Sequence, residues 1–341
     1  MRRSGRSLPI AVTMGEPSGI GGEIAIRAWQ QTNSTNITPF FLIDDPKRLQ
    51  YIMRQLDISV PVKIIRAVHD AGECFSTALP VLPIFDLAEE PCLGKPNVKN
   101  EQAVLHSIEH AVKIALSGDV AGIVTNPIQK SMLKEIGFNH PGHTEYLSTL
   151  TKSSNPPVMM LVSPCLRVVP VTAHMSLAQA LAHLTTKKIV DSAITALSSL
   201  TADFGVECPR GSIAALNPHG GENGQMGMEE IDIIRPALNI LRSKAYRVSG
   251  PHPADTMFHP SALKTFDVAI CMYHDQALIP LKTIDFHNGV NVTLGLPIIR
   301  ASPDHGTALD IAGLGIANPT SFIASIRLVS RMARQRRITN N

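Results

Sequence analysis

Three histidines follow apolar runs of strand length, a position typical of ligand sites in α/β proteins. They are His174, His219 and His274, which follow the runs 167–172, 212–216 and 268–272. In open α/β sheets, ligands bind beyond the carboxyl ends of the strands. Neutral imidazole is the commonest metal ligand, and three imidazoles leave a coordination position for substrate. The pattern therefore suggests one divalent metal, although ordinary core or surface histidines would show the same spacing.

Two carboxylates and a lysine near these strand ends are candidates for catalysis. Asp275 directly follows the third histidine, and Asp255 lies in the proline-rich turn 251–256. Either carboxylate could orient a ligand or move a proton. The structural alternative for Asp255 is the cap of a helix over 256–265. Together with Lys282, the two aspartates form the set of candidate catalytic residues.

Polar side chains in apolar or glycine-rich surroundings indicate an anionic substrate. The candidate substrate-binding residues are His143, Thr144, Lys282, Asn291 and Arg300. The last three lie in the otherwise apolar stretch 281–300, where isolated cations should be paired, exposed or bound to an anion. The first two begin a predicted helix, whose exposed amides favour phosphate. The structural alternative for the residues of 281–300 is an ordinary surface position. For His143 and Thr144 it is the capping of the helix.

Two glycine-rich loops, 15–21 and 217–224, permit left-handed backbone or close approach of a ligand. The first has the look of a phosphate cradle, but it matches neither the dinucleotide fingerprint nor the P-loop. The second could equally be a plain turn.

Apolar runs alternate with helical patterns, which predicts an α/β fold with a mostly parallel sheet. Further strands are predicted at 9–14, 40–43 and 121–125, and helices at 101–116, 187–200, 229–242 and 320–334. Residues 75–100 are richer in proline and lack periodicity, so we expect a surface excursion there.

Size and composition favour a two-domain metabolic protein. The chain has 341 residues, of which 44% are hydrophobic and 17% charged, with a formal net charge of +3. It has no nucleic-acid-reading motif, no apolar stretch of membrane-spanning length and no signal core, so we expect no nucleic-acid partner, no membrane and a cytoplasmic location. The five scattered cysteines indicate reduced thiols.

Several of these segments together resemble one family. The motifs that carry the resemblance are the loop 15–23, Gly142–Glu145, Leu216–Gly224, Pro253–Thr256, Met272–Gln276, Gly289–Arg300 and Asp304–Leu309. They are similar to motifs of the 4-hydroxythreonine-4-phosphate dehydrogenase, or PdxA, family of vitamin B6 biosynthesis. The resemblance runs from about residue 9 to about residue 328.

The resemblance implies a fold like that of isocitrate and isopropylmalate dehydrogenases, with two α/β/α domains around a central cleft. We expect residues 1–130 with 270–341 to form the cofactor-side domain. Residues 131–269 would then form the domain for substrate, metal and dimerisation.

The resemblance also implies the site and the reaction. The three histidines would bind a divalent metal (zinc, magnesium or cobalt), and the five substrate-binding candidates would hold a small phosphorylated hydroxy-amino acid. The active site would lie at a homodimer interface. The implied reaction is NAD(P)-dependent oxidation of 4-phosphohydroxythreonine at its C3 hydroxyl, followed by decarboxylation to 3-amino-2-oxopropyl phosphate.

A wider resemblance concerns the cofactor. The segment from His305 to Gly313, with 315–319 after it, is similar to the adenosine-binding run of isopropylmalate dehydrogenases. By that likeness His305, Gly306 and Asp310 contact the cofactor. Asp310 would accept a hydrogen bond from a ribose 2′-hydroxyl and repel a 2′-phosphate, so NAD is preferred to NADP.

Departures from the family motifs leave alternatives open. Glu16 and Gly22 stand where the family loop more often has Asp and Pro, and Met175-Ser176-Leu177 replaces an Ile/Leu-Pro-Leu run. A related dehydrogenase acting on threonate or erythronate 4-phosphate is therefore a second candidate. A non-redox acyl-phosphate transferase of related fold is a third.

Overall fold

The computed structural model describes residues 8–32, 37–154 and 156–339. The chain divides into two compact units, residues 1–154 with 296–334 and residues 155–295 with 335–341. Each unit is an α/β body, which confirms the predicted fold class.

The unit boundaries differ from the division expected from the sequence, 1–130 with 270–341 and 131–269. The segment after residue 130 stays with the first unit because Leu133, Tyr146 and Leu147 are buried in the core of that unit. The segment after residue 270 stays with the second unit because its strands pair there.

The first unit contains a parallel sheet in the order β3-β4-β2-β1-β5-β12. Its strands are β1 (Ile10–Thr13), β2 (Phe40–Ile43), β3 (Val62–Ile64), β4 (Leu79–Val81), β5 (Ile123–Val124) and β12 (Arg300–Pro303). Its helices are α1 (Gly21–Gln30), α2 (Pro46–Gln55), α3 (Ala71–Cys74), α4 (Glu101–Leu116), α5 (Lys130–Glu135), α6 (His143–Leu150) and α11 (Thr320–Thr339), the last residues of which belong to the second unit.

The second unit contains a mixed sheet in the order β11-β6-β7-β10-β8-β9. Its strands are β6 (Val158–Val162), β7 (Arg167–Pro170), β8 (Arg210–Ala214), β9 (Arg247–His252), β10 (Val268–Cys271) and β11 (Val290–Leu294). Its helices are α7 (Leu177–His183), α8 (Thr186–Phe204), α9 (Arg235–Ser243) and α10 (His274–Ile284). One π-helical turn, Glu230–Ile234, leads directly into α9.

The topology of the second sheet brings the three strand-end segments to one edge. β10 pairs in parallel with β7 on one side and with β8 on the other. The carboxyl ends of these three neighbours therefore point the same way, and the chain leaves them toward His174, His219 and His274.

Two local expectations were wrong. The proline-rich stretch 75–100 contains β4, which is buried between β3 and β2 in the sheet. A strand of three residues with Pro80 at its centre shows no periodicity, so the pattern could not reveal it. The proposed helix over 256–265 is replaced by short 3₁₀ turns at Ala254–Thr256 and Ala262–Lys264.

Helix α4 spans the residues that its apolar spacing predicted. Val104, Ile108 and Val112 lie on its buried side, as a period of 3.6 residues requires. Among the helices in the described part of the chain, none is long and apolar enough to cross a membrane.

Candidate active site

His174 and His274 lie side by side beyond the carboxyl ends of β7 and β10. Their ring centroids are 5.9 Å apart. The pairing of β7 with β10 continues past the strand ends, because the Oγ1 and amide of Thr172 both donate to the carbonyl of Met272. His174 also has left-handed backbone, with φ of 56°, a conformation that non-glycine residues retain only where the surroundings hold it.

A carboxylate orients one ring of this pair. The Nδ1 of His274 lies 2.7 Å from Oδ1 of Asp275. A histidine that binds a metal through one nitrogen commonly donates from the other to a carboxylate, which fixes the tautomer and the ring. With Nδ1 engaged by the carboxylate, Nε2 of His274 is the nitrogen that could bind a metal.

His219 lies on the glycine-rich loop after β8, where it is exposed and lines a cavity of about 560 Å³. Within residues 8–32, 37–154 and 156–339, no three His, Cys, Asp or Glu side chains are grouped so that they could hold a metal ion. Two imidazoles sharing one tetrahedral ion would have centroids roughly 5 Å apart, so the His174–His274 pair is close to that arrangement. The pair therefore fits a metal by chemistry and spacing, and the complete triad stays a prediction.

The other candidates of the second unit occupy different settings. Asp255 is exposed in the turn after β9. Lys282 lies two helical turns after His274 on α10, and its Nζ is 5.6 Å from the ring centroid of Phe286. Asn291 lies on β11, and its Oδ1 is buried without a hydrogen-bond partner. A buried orphan acceptor of this kind is expected where a ligand supplies the missing donor.

In the first unit, Arg300 forms a buried cationic site at the start of β12. Arg300 is only 3% exposed. Its Nε and Nη2 donate hydrogen bonds to Oγ1 of Thr125 at 3.1 and 2.7 Å. Burial lowers the pKa of Arg300 to about 10, against the opposing effect of the Glu145 carboxylate. The guanidinium remains charged at neutral pH, so it could bind an anion here.

His143 and Thr144 begin α6 beside this site. Burial, reinforced by the charges of Arg300 and Lys130, lowers the pKa of His143 well below its usual value. Its Nε2 is shielded from solvent and has no hydrogen-bond partner. A neutral imidazole with an orphan nitrogen next to a buried guanidinium can donate to an anion without adding charge.

Three residues of this cationic site were not among the candidates. Thr125 accepts hydrogen bonds from Arg300. The carboxylate of Glu145 acts to raise the pKa of Arg300, and the charge of Lys130 acts to lower the pKa of His143. Thr125 and Lys130 lie in the segment 125–130, which follows strand β5 and contains four polar residues, so the strand-end criterion could have found them. Glu145 was part of a motif but had no assigned role.

The predicted cofactor residues lie on one loop of the first unit. His305 bonds through Nδ1 to the carbonyl of Gly306 at 2.9 Å, and Asp310 is exposed. The same loop contacts the first glycine-rich loop, because the amide of Ile20 donates to the carbonyl of Thr307 at 3.1 Å. The two loops that sequence reasoning treated separately therefore form one surface.

The predicted substrate residues are divided between the units. His143, Thr144 and Arg300 belong to the first unit, and Lys282 and Asn291 belong to the second. Fold and site define an α/β protein with the side chains of a metabolic enzyme: paired imidazoles with a carboxylate in one unit, and a buried anion site in the other.

Comparison with known proteins identifies the family. A sequence model described as "Pyridoxal phosphate biosynthetic protein PdxA" matches residues 36–329. The chain is 48% identical over 332 residues to a 4-hydroxythreonine-4-phosphate dehydrogenase of Methylorubrum populi, covering 96% of this chain and 95% of that one. It is 46% identical over 335 residues to the enzyme of that name from Caulobacter vibrioides, covering 97% and 99%.

The structural comparison agrees. The crystal structure of 4-hydroxythreonine-4-phosphate dehydrogenase from Klebsiella pneumoniae has a TM-score of 0.87 and 37% sequence identity, covering 97% of this chain and 99% of that chain. The chain belongs to the PdxA family, and the relatives named above are dehydrogenases.

Proposed function

We propose that this chain oxidises 4-phosphohydroxy-L-threonine with NAD to 2-amino-3-oxo-4-phosphonooxybutanoate. That β-keto acid then loses carbon dioxide and gives 3-amino-2-oxopropyl phosphate, in vitamin B6 biosynthesis. The observation that carries the proposal is the buried guanidinium of Arg300 beside the orphan Nε2 of His143. A site of this kind suits a phosphorylated substrate, and the names of the relatives support the choice of 4-phosphohydroxythreonine.

Each unit contributes its own set of proposed substrate-binding residues. Arg300, His143 and Thr144 bind one anionic group, and the amides at the start of α6 add donors. Lys282 and Asn291 bind the remaining polar groups, where Oδ1 of Asn291 has a vacant acceptor position. Phosphate and carboxylate are the two anions that the substrate presents.

His174, His219 and His274 are the proposed metal ligands, and zinc, magnesium and cobalt are the candidate ions. When bound, the metal would act as a Lewis acid toward the substrate oxygen, and the nicotinamide would accept the hydride. The His174–His274 spacing and the carboxylate on His274 support this assignment. His219, from this chain or from a second copy in the proposed homodimer, joins the pair when the ion binds.

The two aspartates then take different roles. Asp275 is engaged with Nδ1 of His274, so we assign it the orientation of that ring. Asp255 is exposed and is the proposed acceptor of the hydroxyl proton. Lys282, with its charge on α10, stabilises the negative charge that develops on the substrate.

NAD is the proposed cofactor, and we expect NADP to support a lower kcat/KM. Asp310 is exposed on the loop that also presents His305 and Gly306, and its carboxylate would repel a 2′-phosphate. The first unit is the proposed cofactor side, and the second the side for substrate, metal and dimerisation. The homodimer with the active site at its interface, and the cytoplasmic location, remain predictions.

Two of the departures from the family motifs lie in defined structural settings. Ser176 accepts a hydrogen bond from the amide of Gln179 at 3.3 Å and so caps α7, a role that a proline in its place could not fill. A methyl group at Gly22 would lie 2.5 Å from Cδ1 of Ile52, the end of a flexible side chain, so a larger residue there would require Ile52 to move. Neither departure favours another substrate.

The experiment that tests the proposal is NADH formation from 4-phosphohydroxythreonine by the purified protein, with and without a chelator. We expect NADH and released carbon dioxide in equal amounts, and loss of both with chelator. An acyl-phosphate transferase would produce no NADH under these conditions, and that outcome would overturn the proposal.

A further inference from the structure

The loop that carries His219 has an unusual backbone. Six consecutive residues, 219–224, have positive φ, with values of 52°, 63°, 77°, 44°, 55° and 98°. Three of the six are not glycine: His219, Glu222 and Asn223. Left-handed backbone is unfavourable for residues with a Cβ, and a run of it persists only where neighbouring groups impose it.

Glu230 is the neighbour that holds the start of this loop. Its Oε1 accepts hydrogen bonds from the amides of Leu216 and Asn217, each at 2.8 Å. Its Oε2 accepts from Nδ2 of Asn217 at 2.9 Å. One carboxylate therefore fixes two successive backbone amides and one side chain immediately before His219.

The same carboxylate also contacts the middle of the loop. A methyl group at Gly221 would lie 2.5 Å from Oε2 of Glu230 and 3.0 Å from the carbonyl of Gly227. Glycine is thus required at 221 both by its φ of 77° and by the closeness of Glu230. Loop and carboxylate pack against each other without space for a side chain.

Glu230 is itself rigidly placed. It is 1% exposed and begins the π-helical turn that leads into α9. Such turns inside helices often occur at functional sites. Burial raises the pKa of Glu230, but the hydrogen bonds from Asn217 and Leu216 outweigh it, and the net pKa is lowered. The group is therefore an anion at neutral pH, and an anionic acceptor forms stronger hydrogen bonds than a neutral one.

We propose that Glu230 is a positioning residue, which holds the loop 216–223 in its left-handed form and thereby presents His219 for metal binding. This inference rests on the proposed function, because it assumes that His219 is a metal ligand. The role is specific to Glu230 and is not shared by its neighbour. Glu229 accepts a hydrogen bond from Nδ2 of Asn217 at 2.7 Å, and within the described part of the chain it accepts none from a backbone amide of the loop.

The first test is Co²⁺ binding by the full-length protein, followed by the absorption spectrum of the bound ion. We expect Glu230→Ala to weaken Co²⁺ binding by about 10- to 100-fold, the effect typical of residues that orient metal ligands. Glu230→Gln keeps the Oε1 acceptor for both amides and should recover most of the affinity. Glu229→Ala is the matched control and should bind Co²⁺ like the wild type.

The second test does not require a metal. Amide hydrogen exchange of residues 216–223 should accelerate in metal-free Glu230→Ala, and less so in Glu230→Gln, while exchange in α8 stays unchanged. If Glu230→Ala does not fold, amide exchange of residues 216–223 in metal-free Glu230→Gln decides. It should be faster than in the wild type, and exchange equal to that of the wild type would overturn the inference.

The two tests separate this inference from the proposed function. If the wild type binds no Co²⁺, or His219→Ala binds it equally well, the metal assignment fails, and accelerated exchange would still support the role of Glu230 in the loop. If binding depends on His219 but Glu230→Ala and Glu229→Ala both bind like wild type, the positioning role is wrong.

Discussion

Oγ1 of Thr125 accepts two hydrogen bonds from the guanidinium of Arg300, from Nε at 3.1 Å and from Nη2 at 2.7 Å. The two residues are 175 positions apart and meet because β5 and β12 are parallel neighbours. Thr125 is fully buried and Arg300 almost so. The hydroxyl therefore aims a charged group that water cannot solvate, and the proposed substrate site depends on it.

Thr125→Val should damage this site without changing its shape. The buried guanidinium would lose an acceptor for two donors, at a cost of about 2 kcal/mol in the free energy of unfolding. We expect KM for the phosphorylated substrate to rise about tenfold, measured by NADH formation. Thr149→Val is the control, since Thr149 is exposed and bonds only to a helical carbonyl. Equal effects of the two substitutions would contradict the role of Thr125.

Glu101 should make the protein less stable as the pH rises. Burial, reinforced by the nearby charge of Glu16, raises the pKa of Glu101 from 4.5 to about 9. The folded state then holds a proton that the unfolded state has released, so stability falls as pH increases between these values. We expect the free energy of unfolding to decrease by about 4 kcal/mol from about pH 6 to about pH 9.

Denaturant titrations at several pH values measure this slope. Glu101→Gln should flatten it, because an amide cannot ionise, and the variant should exceed the wild type in stability at the alkaline end. Glu207→Gln, at an exposed carboxylate, should keep the wild-type slope. An unchanged slope in Glu101→Gln would show that Glu101 is not the titrating group.

His219→Ala should abolish both turnover and metal retention. The remaining imidazoles, His174 and His274, form a pair but not a complete catalytic set of three ligands. Metal content after dialysis and the rate of NADH formation check the two effects. His259→Ala, which removes an exposed histidine, is the control. A metal-stripped His219→Ala variant with full activity would refute the triad.

Gly19→Ala should weaken cofactor binding. A methyl group there would lie 2.9 Å from the carbonyl of Thr307 and would push the first glycine-rich loop away from the loop of His305 and Asp310. We expect KM for NAD to rise about tenfold, or by about 1.4 kcal/mol in binding free energy, with little change in KM for the substrate. The control is Gly72→Ala, where a methyl group meets nothing within 4 Å. Similar KM values for NAD in wild type and Gly19→Ala would show that the loops do not form one cofactor surface.

The sequence predicted those strands and helices whose apolar residues recur without interruption. The runs before His174, His219 and His274 are continuous and apolar, since strands buried on both faces must be, so the three strand ends were predicted. Helix α4 was predicted because its apolar period is undisturbed. Strand β4 was missed because three residues around Pro80 carry no pattern.

The contacts that tune the site were not predictable in this way. Thr125 meets Arg300, and Glu230 meets Leu216 and Asn217, only after the sheet has formed. The unit boundaries were misplaced for a related reason, because no change in composition marks them. The pattern of apolar runs identifies which residues follow the carboxyl ends of the strands. Contacts with residues distant in the sequence decide which of those residues are held in a fixed position.

The most direct test of the central claim is the ratio of kcat/KM for 4-phosphohydroxythreonine to that for threonate 4-phosphate, measured by NADH formation with the metal-loaded protein. We expect a ratio of at least about 10, the lower end of what one differing substrate group contributes to kcat/KM. A ratio below one would assign the chain to the aldonate phosphates and contradict the proposed function.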